Sequence, residues 1–147
     1  MGARERLALL NMLGTYLPGA RVLDAYAGSG ALGIEALSRG ASHVTFVEKS
    51  PRASRTIREN LDALGIAESY DIFQQDAKIF SAADSYDIIL VDPPYDDFEL
   101  NGVKNLAKLL KPAGVMVLSH PGDAPDIDGL ELAKTHKYAA AHLSLYK

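Results

Sequence analysis

The tetrapeptide Asp92-Pro93-Pro94-Tyr95 directly follows the apolar run 88–91, so it lies at the carboxyl end of a predicted strand. The Asp92 carboxylate and the Pro93 carbonyl are two hydrogen-bond acceptors, and the prolines restrict the direction of that carbonyl. Acceptors aimed at both N–H bonds of a nucleobase amine favour its rotation toward sp³, which frees the nitrogen lone pair to attack a methyl group. Tyr95 can stack on the base. We therefore predict methyl transfer to an exocyclic amine, without a metal; the structural alternative is a proline-rich turn.

A glycine-rich segment, Gly28 to Gly33, matches the G-x-G-x-x-G pattern of dinucleotide-binding proteins and follows a predicted strand. Taken alone, the pattern is compatible with NAD or FAD. Asp24 stands four residues before Gly28, and its carboxylate would repel a pyrophosphate but hold an ammonium group directly or through water. Glycines would let the backbone approach such a ligand without an intervening Cβ. The segment therefore favours the amino-acid end of S-adenosylmethionine over NAD.

Two more acids end the next two predicted strands. Glu48 stands 18 residues after Gly30, where a carboxylate can accept hydrogen bonds from both ribose hydroxyls. Asp76, with Ala77, follows the third strand and can bind the adenine amino group. Either acid alone would be interpreted as a solvated strand-end residue. Three acids at successive strand ends beside a glycine loop predict an S-adenosylmethionine site, because ligands of such sheets bind at the carboxyl ends of the strands.

The predicted site residues fall into two groups. Methyl transfer is assigned to the tetrapeptide, Asp92, Pro93, Pro94 and Tyr95. Cofactor binding is assigned to the glycine loop, the strand ends and the tetrapeptide, namely Asp24, Tyr26, Ala27, Gly28, Ser29, Gly30, Gly33, Glu48, Lys49, Asp76, Ala77 and Asp92. Among the histidines only His120, at the same predicted edge, could approach a substrate. The arginines at helical spacing in 52–58 are expected to form a solvated face, with contact to RNA phosphates as the alternative.

These residues require a sheet that brings several strand ends together. Apolar spacing with glycine and proline stops predicts helices over 7–17, 31–39, 51–64 and 100–110. Short apolar runs predict strands at 22–23, 44–47, 72–73, 88–91 and 115–118, the last after a turn at 112–114. Residues 130–138 and the period-two alternation over 141–146 predict a C-terminal antiparallel pair. We predict an α/β fold with a Rossmann-like, doubly wound and mostly parallel sheet, in a single domain over 1–147.

Composition limits the classes of function. The chain has 147 residues, no cysteine and a net charge of −4, which excludes disulfide frameworks, thiolate chemistry and a polybasic nucleic-acid protein. Residues 1–60 hold 8 basic and 5 acidic side chains, a balance of +3, whereas residues 61–147 hold 7 and 14, a balance of −7. No stretch has the length of apolar residues that a membrane span needs, and no signal peptide is evident. We expect a cytoplasmic, unprocessed monomer.

The segments VLDAYAGSGALGIEALSRGASHVTFVEKS, YDIILVDPPY and KYAAAHLSLYK resemble the RsmD-type bacterial methyltransferases over nearly the whole chain. The resemblance implies the class I, seven-stranded methyltransferase fold with S-adenosylmethionine as the methyl donor. It further implies that the acceptor is the N2 amine of a guanine in 16S ribosomal RNA. The implied partner is small-subunit ribosomal RNA or a 30S assembly particle.

Three departures from that family bear on the substrate. The family usually has a basic β-hairpin arm before the first helix, and this chain begins almost at that helix. Ala25 and Tyr26 replace a large apolar residue and phenylalanine, and Ser119-His120 stand where a carboxylate is common. Acids at 96, 97 and 99 follow the tetrapeptide and would repel phosphate. We therefore expect this chain alone to bind its cofactor better than RNA.

Two alternative functions stay open. The same tetrapeptide would serve an N6-adenine DNA methyltransferase or another amine methyltransferase. A non-catalytic core that binds S-adenosylmethionine without engaging RNA is the alternative outside enzymes.

Overall fold

A computed structural model describes residues 1–138 and 141–147, and it contains seven strands in one sheet. The strands are β1 (Arg21–Ala25), β2 (His43–Val47), β3 (Tyr70–Phe73), β4 (Tyr86–Val91), β5 (Leu110–His120), β6 (Leu132–Lys137) and β7 (His142–Tyr146). The helices are α1 (Ala3–Met12), α2 (Ala31–Ser38), α3 (Pro51–Ala63) and α4 (Leu100–Ala107). Short 3₁₀ turns cover Gly14–Tyr16, Ala77–Ile79 and Tyr95–Asp97. No helix of the described residues is long and apolar enough to cross a membrane.

The sheet has the order β3-β2-β1-β4-β5-β7-β6, parallel from β3 to β5 and antiparallel at β7 and β6. The chain moves outward from β1 to β3 and then returns to place β4 on the other side of β1. That reversal of strand order leaves a crevice at the carboxyl ends of β1 and β4, where ligands of doubly wound sheets bind. The predicted fold, including the C-terminal antiparallel pair, is confirmed.

Two apolar cores cover the two faces of the sheet. On one face α1, α2 and α3 bury residues such as Leu10, Ala36 and Ile57 against Val22 and Phe46 of the strands. On the other face, α4 and the turn at 77–79 pack on the alternate strand positions. Because successive side chains of a strand point to opposite faces, continuous apolar strands can serve both cores at once.

The helix ends follow the predicted chemistry. Ser50 accepts a hydrogen bond from the amide of Ala53 at 3.2 Å, and Pro51 occupies the first helical position of α3. Gly40, after α2, has φ of 103°, the left-handed conformation that commonly ends a helix. These caps fix where the loops at the carboxyl edge of the sheet begin and end.

Two predicted boundaries were wrong. The first helix ends at Met12 instead of near Leu17, because a 3₁₀ turn over Gly14–Tyr16 follows; Leu17 is buried but Leu7 is 53% exposed. The last helix ends at Ala107, and Leu110 pairs with Tyr86 as the first residue of β5. The predicted turn at 112–114 lies inside β5, where the register with β4 shifts between Tyr86 and Ile88.

Candidate active site

Two cavities open at the carboxyl edge of the sheet. The first cavity, of about 210 Å³, is lined by Tyr26, Gly28, Val47, Glu48, Lys49, Asp76, Ala77, Asp92, Pro94 and Asp97. The second cavity, of about 540 Å³, is lined by Met1, Gly2, Glu5, Asp92, Pro93, Pro94, Tyr95 and Ala141. Both include Asp92 and Pro94, so the tetrapeptide forms the wall between them. The first cavity brings together seven of the residues predicted to bind the cofactor.

Glu48 holds the glycine loop in place. One carboxylate oxygen accepts a hydrogen bond from the Gly28 amide at 2.9 Å, and the other accepts one from the Ser50 amide at 2.8 Å. The carboxylate therefore joins the loop after β1 to the start of α3. Each oxygen keeps a second lone pair, so the side chain can still accept a hydrogen bond from a ligand in the first cavity.

The glycines of the loop have different physical requirements. Gly28 has φ of 58° and nothing lies within 4 Å of the position that its Cβ would take, so its bare backbone faces open space at the first cavity. A Cβ on Gly33 would lie 2.4 Å from the Phe46 ring, and one on Gly30 would lie 3.2 Å from Ile57. Close packing of α2 and α3 on β2 therefore explains Gly33 and Gly30. The prediction that a glycine lets the backbone approach a ligand without an intervening Cβ therefore applies to Gly28.

Of the other three loop residues, Tyr26 lines the first cavity as predicted, whereas Ser29 and Ala27 do not. Tyr26 lines the first cavity and adopts φ of 57°, which is uncommon for a residue with a side chain. Ser29 is exposed and lies outside the lining of the first cavity; its carbonyl accepts a hydrogen bond from the Asn60 side chain at 3.0 Å. Ala27 donates its amide to the Val47 carbonyl at 2.9 Å, which fixes the loop to β2.

Asp24 is buried and does not line either cavity. Its carboxylate accepts a hydrogen bond from the Gly33 amide at 3.0 Å, at the start of α2. Burial raises the pKa of Asp24 to about 8, the Gly33 hydrogen bond opposes that rise, and the charges of Asp92 and Glu48 add to it. Asp24 therefore orients the glycine loop from beneath, through its hydrogen bond to Gly33.

Asp76 and Ala77 form the far wall of the first cavity. The Asp76 carboxylate accepts a hydrogen bond from the Lys78 amide at 3.0 Å, which begins the 3₁₀ turn after β3. Ala77 is 3% exposed and packs in the core beneath the cavity. The sequence placed both residues at a strand end, and the structure brings them opposite the tetrapeptide.

The tetrapeptide is held by a buried hydroxyl group that sequence reasoning missed. Ser119 lies 2.6 Å from the Tyr95 hydroxyl and also hydrogen-bonds the Asp92 carboxylate. The Ser119 and Tyr95 hydroxyls share one hydrogen bond, in which either oxygen can be the donor. Ser119 stood out in the sequence only as a departure from the related family, in which a carboxylate is common there.

The surroundings of Asp92 suit an acceptor of hydrogen bonds from an amine. Burial raises the pKa of Asp92, and the Ser119 hydrogen bond and the amino group of Met1 oppose the rise. The Met1 nitrogen lies 3.7 Å from Asp92 Oδ2. The Pro94 carbonyl accepts a hydrogen bond from the Asp97 amide at 3.0 Å, which closes the turn after the tetrapeptide.

The acids after the tetrapeptide are partly neutralised. Lys78 lies 2.7 Å from Asp97 and 3.8 Å from Glu99, and Lys49 lies 3.9 Å from Asp97. The Lys78 hydrogen bond lowers the pKa of Asp97. Asp97 and Glu99 should therefore repel phosphate less than the sequence suggests, because lysines lie close to both. For Asp96 the expected repulsion is unchanged.

The remaining candidates lie away from the two cavities. His120 is fully buried, and its Nε2 lies 2.7 Å from the Ser144 hydroxyl between β5 and β7, so the idea that it approaches a substrate was wrong. The arginines of α3, Arg52, Arg55 and Arg58, are exposed, as predicted for a solvated face. Within residues 1–138 and 141–147, no group of three or more histidine, aspartate or glutamate side chains could hold a metal ion.

Known proteins share this sequence and fold. The family described as Conserved hypothetical protein 95 matches residues 1–147. "Putative rRNA methyltransferase YlbH" of Bacillus subtilis is 33% identical over 151 residues, which cover 95% of this chain and 82% of that protein. "Ribosomal RNA small subunit methyltransferase D" of Escherichia coli K12 is 38% identical over 94 residues, which cover 63% of this chain and 47% of that protein.

A solved structure has nearly the same fold. "Putative methyltransferase yhhF from Escherichia coli" superposes with a TM-score of 0.90 at 28% identity, and the match covers 98% of this chain and 83% of that one. The seven-stranded fold agrees with this match. The predicted resemblance to the RsmD-type methyltransferases is confirmed: the chain belongs to the family described as Conserved hypothetical protein 95.

Proposed function

We propose that this protein is an S-adenosylmethionine-dependent methyltransferase that modifies the N2 amine of a guanine in 16S ribosomal RNA. The observation that carries the proposal is the shared wall: the first and second cavities meet at Asp92 and Pro94. A donor in one cavity and a base in the other would meet at the tetrapeptide. The ribosomal RNA methyltransferases among the relatives support RNA as the acceptor class.

The residues of the first cavity fit S-adenosylmethionine, which supplies a methyl group on a positively charged sulfur. The open backbone at Gly28 leaves room for the ligand, and Glu48 and Asp76 offer carboxylate oxygens from the ends of the neighbouring strands β2 and β3. Lys49 and Ala77 complete the proposed cofactor contacts at the ends of β2 and β3. The negative charge of these acids complements the cationic ligand.

The residues of the second cavity act on the acceptor amine. Asp92 accepts a hydrogen bond from one N–H and the Pro93 carbonyl accepts one from the other, which favours attack by the nitrogen. Tyr95, fixed by Ser119, offers its ring for stacking on the base. As the N–C bond forms and the S–C bond breaks, the nitrogen becomes positively charged, and it then loses one proton to the Asp92 carboxylate and on to water.

The test uses tritiated S-adenosylmethionine with separate pools of 30S subunits, free 16S RNA, 50S subunits and DNA. We expect label in N2-methylguanosine of small-subunit RNA with wild-type protein and at least a hundredfold lower rate with Asp92→Ala, since a removed transition-state contact typically costs that much. Asp96→Ala is the matched control, because it makes the same charge change on an exposed side chain of the same segment.

Three results would contradict the proposal. Label in N6-methyladenine of DNA would support the alternative acceptor. Cofactor binding with no transfer to any pool would support a non-catalytic core. A normal rate with Asp92→Ala would refute the role of the tetrapeptide.

A further inference from the structure

Lys78 is fixed at four points between the two sides of the first cavity. Its amide donates to Asp76, its carbonyl accepts from the Asn105 side chain at 3.3 Å, and its ammonium group lies 2.7 Å from Asp97. A Cβ on Gly102 would lie 3.1 Å from Lys78 Cγ, so the aliphatic stem packs closely on α4 at this glycine. A lysine side chain that is 16% exposed and held along its length is not a solvated surface residue.

The other end of this contact belongs to the tetrapeptide. Asp97 ends the 3₁₀ turn that begins at Tyr95, and its amide donates to the Pro94 carbonyl at 3.0 Å. The carboxylate of Asp97 also lines the first cavity. A movement of Asp97 would therefore move the wall that both cavities share.

We propose that Lys78 is a positioning residue that ties the turn Tyr95–Asp97, and with it Asp92 and Pro94, to the wall of the first cavity formed by Asp76 and Ala77. Its ammonium group joins the loop after β3 to the loop after β4 through the 2.7 Å contact with Asp97. The expected effect of Lys78 on methyl transfer rests on the proposed function. Its effect on cofactor affinity can be measured independently of any RNA acceptor.

The test removes the charge of Lys78 and keeps its stem. Lys78→Met preserves the packing on Gly102, so we expect an unchanged melting temperature but affinity for S-adenosylmethionine about three- to fivefold weaker by calorimetry, as for loss of a partly exposed ion pair. Lys111→Met is the matched control, since it breaks an ion pair of 3.6 Å with Asp87 at the opposite edge of the sheet.

Exchanging the two charges tests whether the ion pair between Lys78 and Asp97 accounts for the change in cofactor affinity, or whether any substitution at these positions would cause it. Lys78→Glu and Asp97→Lys alone should each weaken cofactor binding, and the double variant should recover at least half of the loss. The effects of Lys78→Met and Asp97→Asn should combine to less than their sum, because both substitutions remove the 2.7 Å contact between the two side chains.

Defined results would overturn the inference. Wild-type affinity in Lys78→Met, additive effects with Asp97→Asn, or a lower melting temperature with unchanged affinity would each show that Lys78 acts only on the fold. If wild-type protein binds the cofactor but methylates no RNA, the proposed function fails while the affinity test of Lys78 still stands.

Discussion

At the scale of single residues, burial gives the Asp24 carboxylate a different hydrogen-bond partner from the one that its position in the sequence suggests. The sequence places it where a carboxylate could hold an ammonium group, and the structure turns it inward to the Gly33 amide. Burial raises the pKa of Asp24 to about 8, with a Coulombic contribution from Asp92. The side chain is therefore protonated in much of the free protein near neutral pH and becomes easier to ionise when a cationic ligand binds.

The free energy of unfolding should fall as the pH rises from about 4 to about 8. The unfolded chain ionises Asp24 around the ordinary aspartate pKa of 3.8, whereas burial in the folded chain raises the pKa to about 8, so the folded state binds more protons in that window. Urea unfolding at pH 5, 6, 7 and 8 measures the effect. Asp24→Asn should remove this component of the pH dependence, and the exposed Asp62→Asn should not. Parallel curves for wild type and Asp24→Asn would contradict the raised pKa.

At the scale of elements, the contact between α2 and β2 decides where the glycine loop lies. Gly33, in the first turn of α2, packs directly on Phe46 and Val44 of β2 and donates its amide to Asp24. The helix can approach the sheet this closely because Gly33 has no side chain. The loop from Tyr26 to Gly30 then has its position set at both ends.

Gly33→Ala should lower the free energy of unfolding by about 1–3 kcal/mol, as overpacking of a core does. The added methyl group would lie 2.4 Å from the Phe46 ring and 2.9 Å from Val44, both of which are fully buried. Thermal or urea unfolding measures the loss. Gly14→Ala is the control, since nothing lies within 4 Å of its Cβ position and its φ is negative; equal stability of the two variants would contradict the packing argument.

Local signals in the sequence were sufficient for most elements. Apolar strands, the Ser50-Pro51 cap and the glycine stops act within a few residues, so they predicted the order of strands and helices. The ends of α1 and β5 depend instead on packing: the Gly14–Tyr16 turn keeps Leu17 buried after the helix has stopped. Lys78 and Ser119 became visible as site residues only in three dimensions, because their partners are 19 and 24 or more residues away along the chain.

At the scale of the whole molecule, charge divides the chain. Residues 61–147 carry the balance of −7, and the two cavities are bordered by Glu48, Asp76, Asp92 and Glu5. A cationic cofactor is attracted by this field, whereas RNA phosphates are repelled by it. The exposed arginines of α3 carry positive charge, but they lie on the helix that follows β2, on the other side of the first cavity from the tetrapeptide.

The protein should therefore bind S-adenosylmethionine more tightly than a free fragment of 16S RNA at about 0.15 M salt. Calorimetry measures the first affinity and filter binding the second. The salt dependence of RNA binding should be shallow, because few phosphates are neutralised. Tighter binding to RNA than to the cofactor, with a steep salt dependence, would show that the arginines of α3 form an RNA surface.

The wall shared by the two cavities also has a thermodynamic consequence. Asp92 and Pro94 border both spaces, so a ligand that shifts or charges this wall from one side alters the free energy of binding on the other. Such coupling is reciprocal: if the donor strengthens acceptor binding by some factor, the acceptor strengthens donor binding by the same factor. In the proposed reaction, loss of the methyl group would remove the positive charge from the donor beside this wall and reverse that cooperation, so the spent donor and the modified base would favour each other's departure.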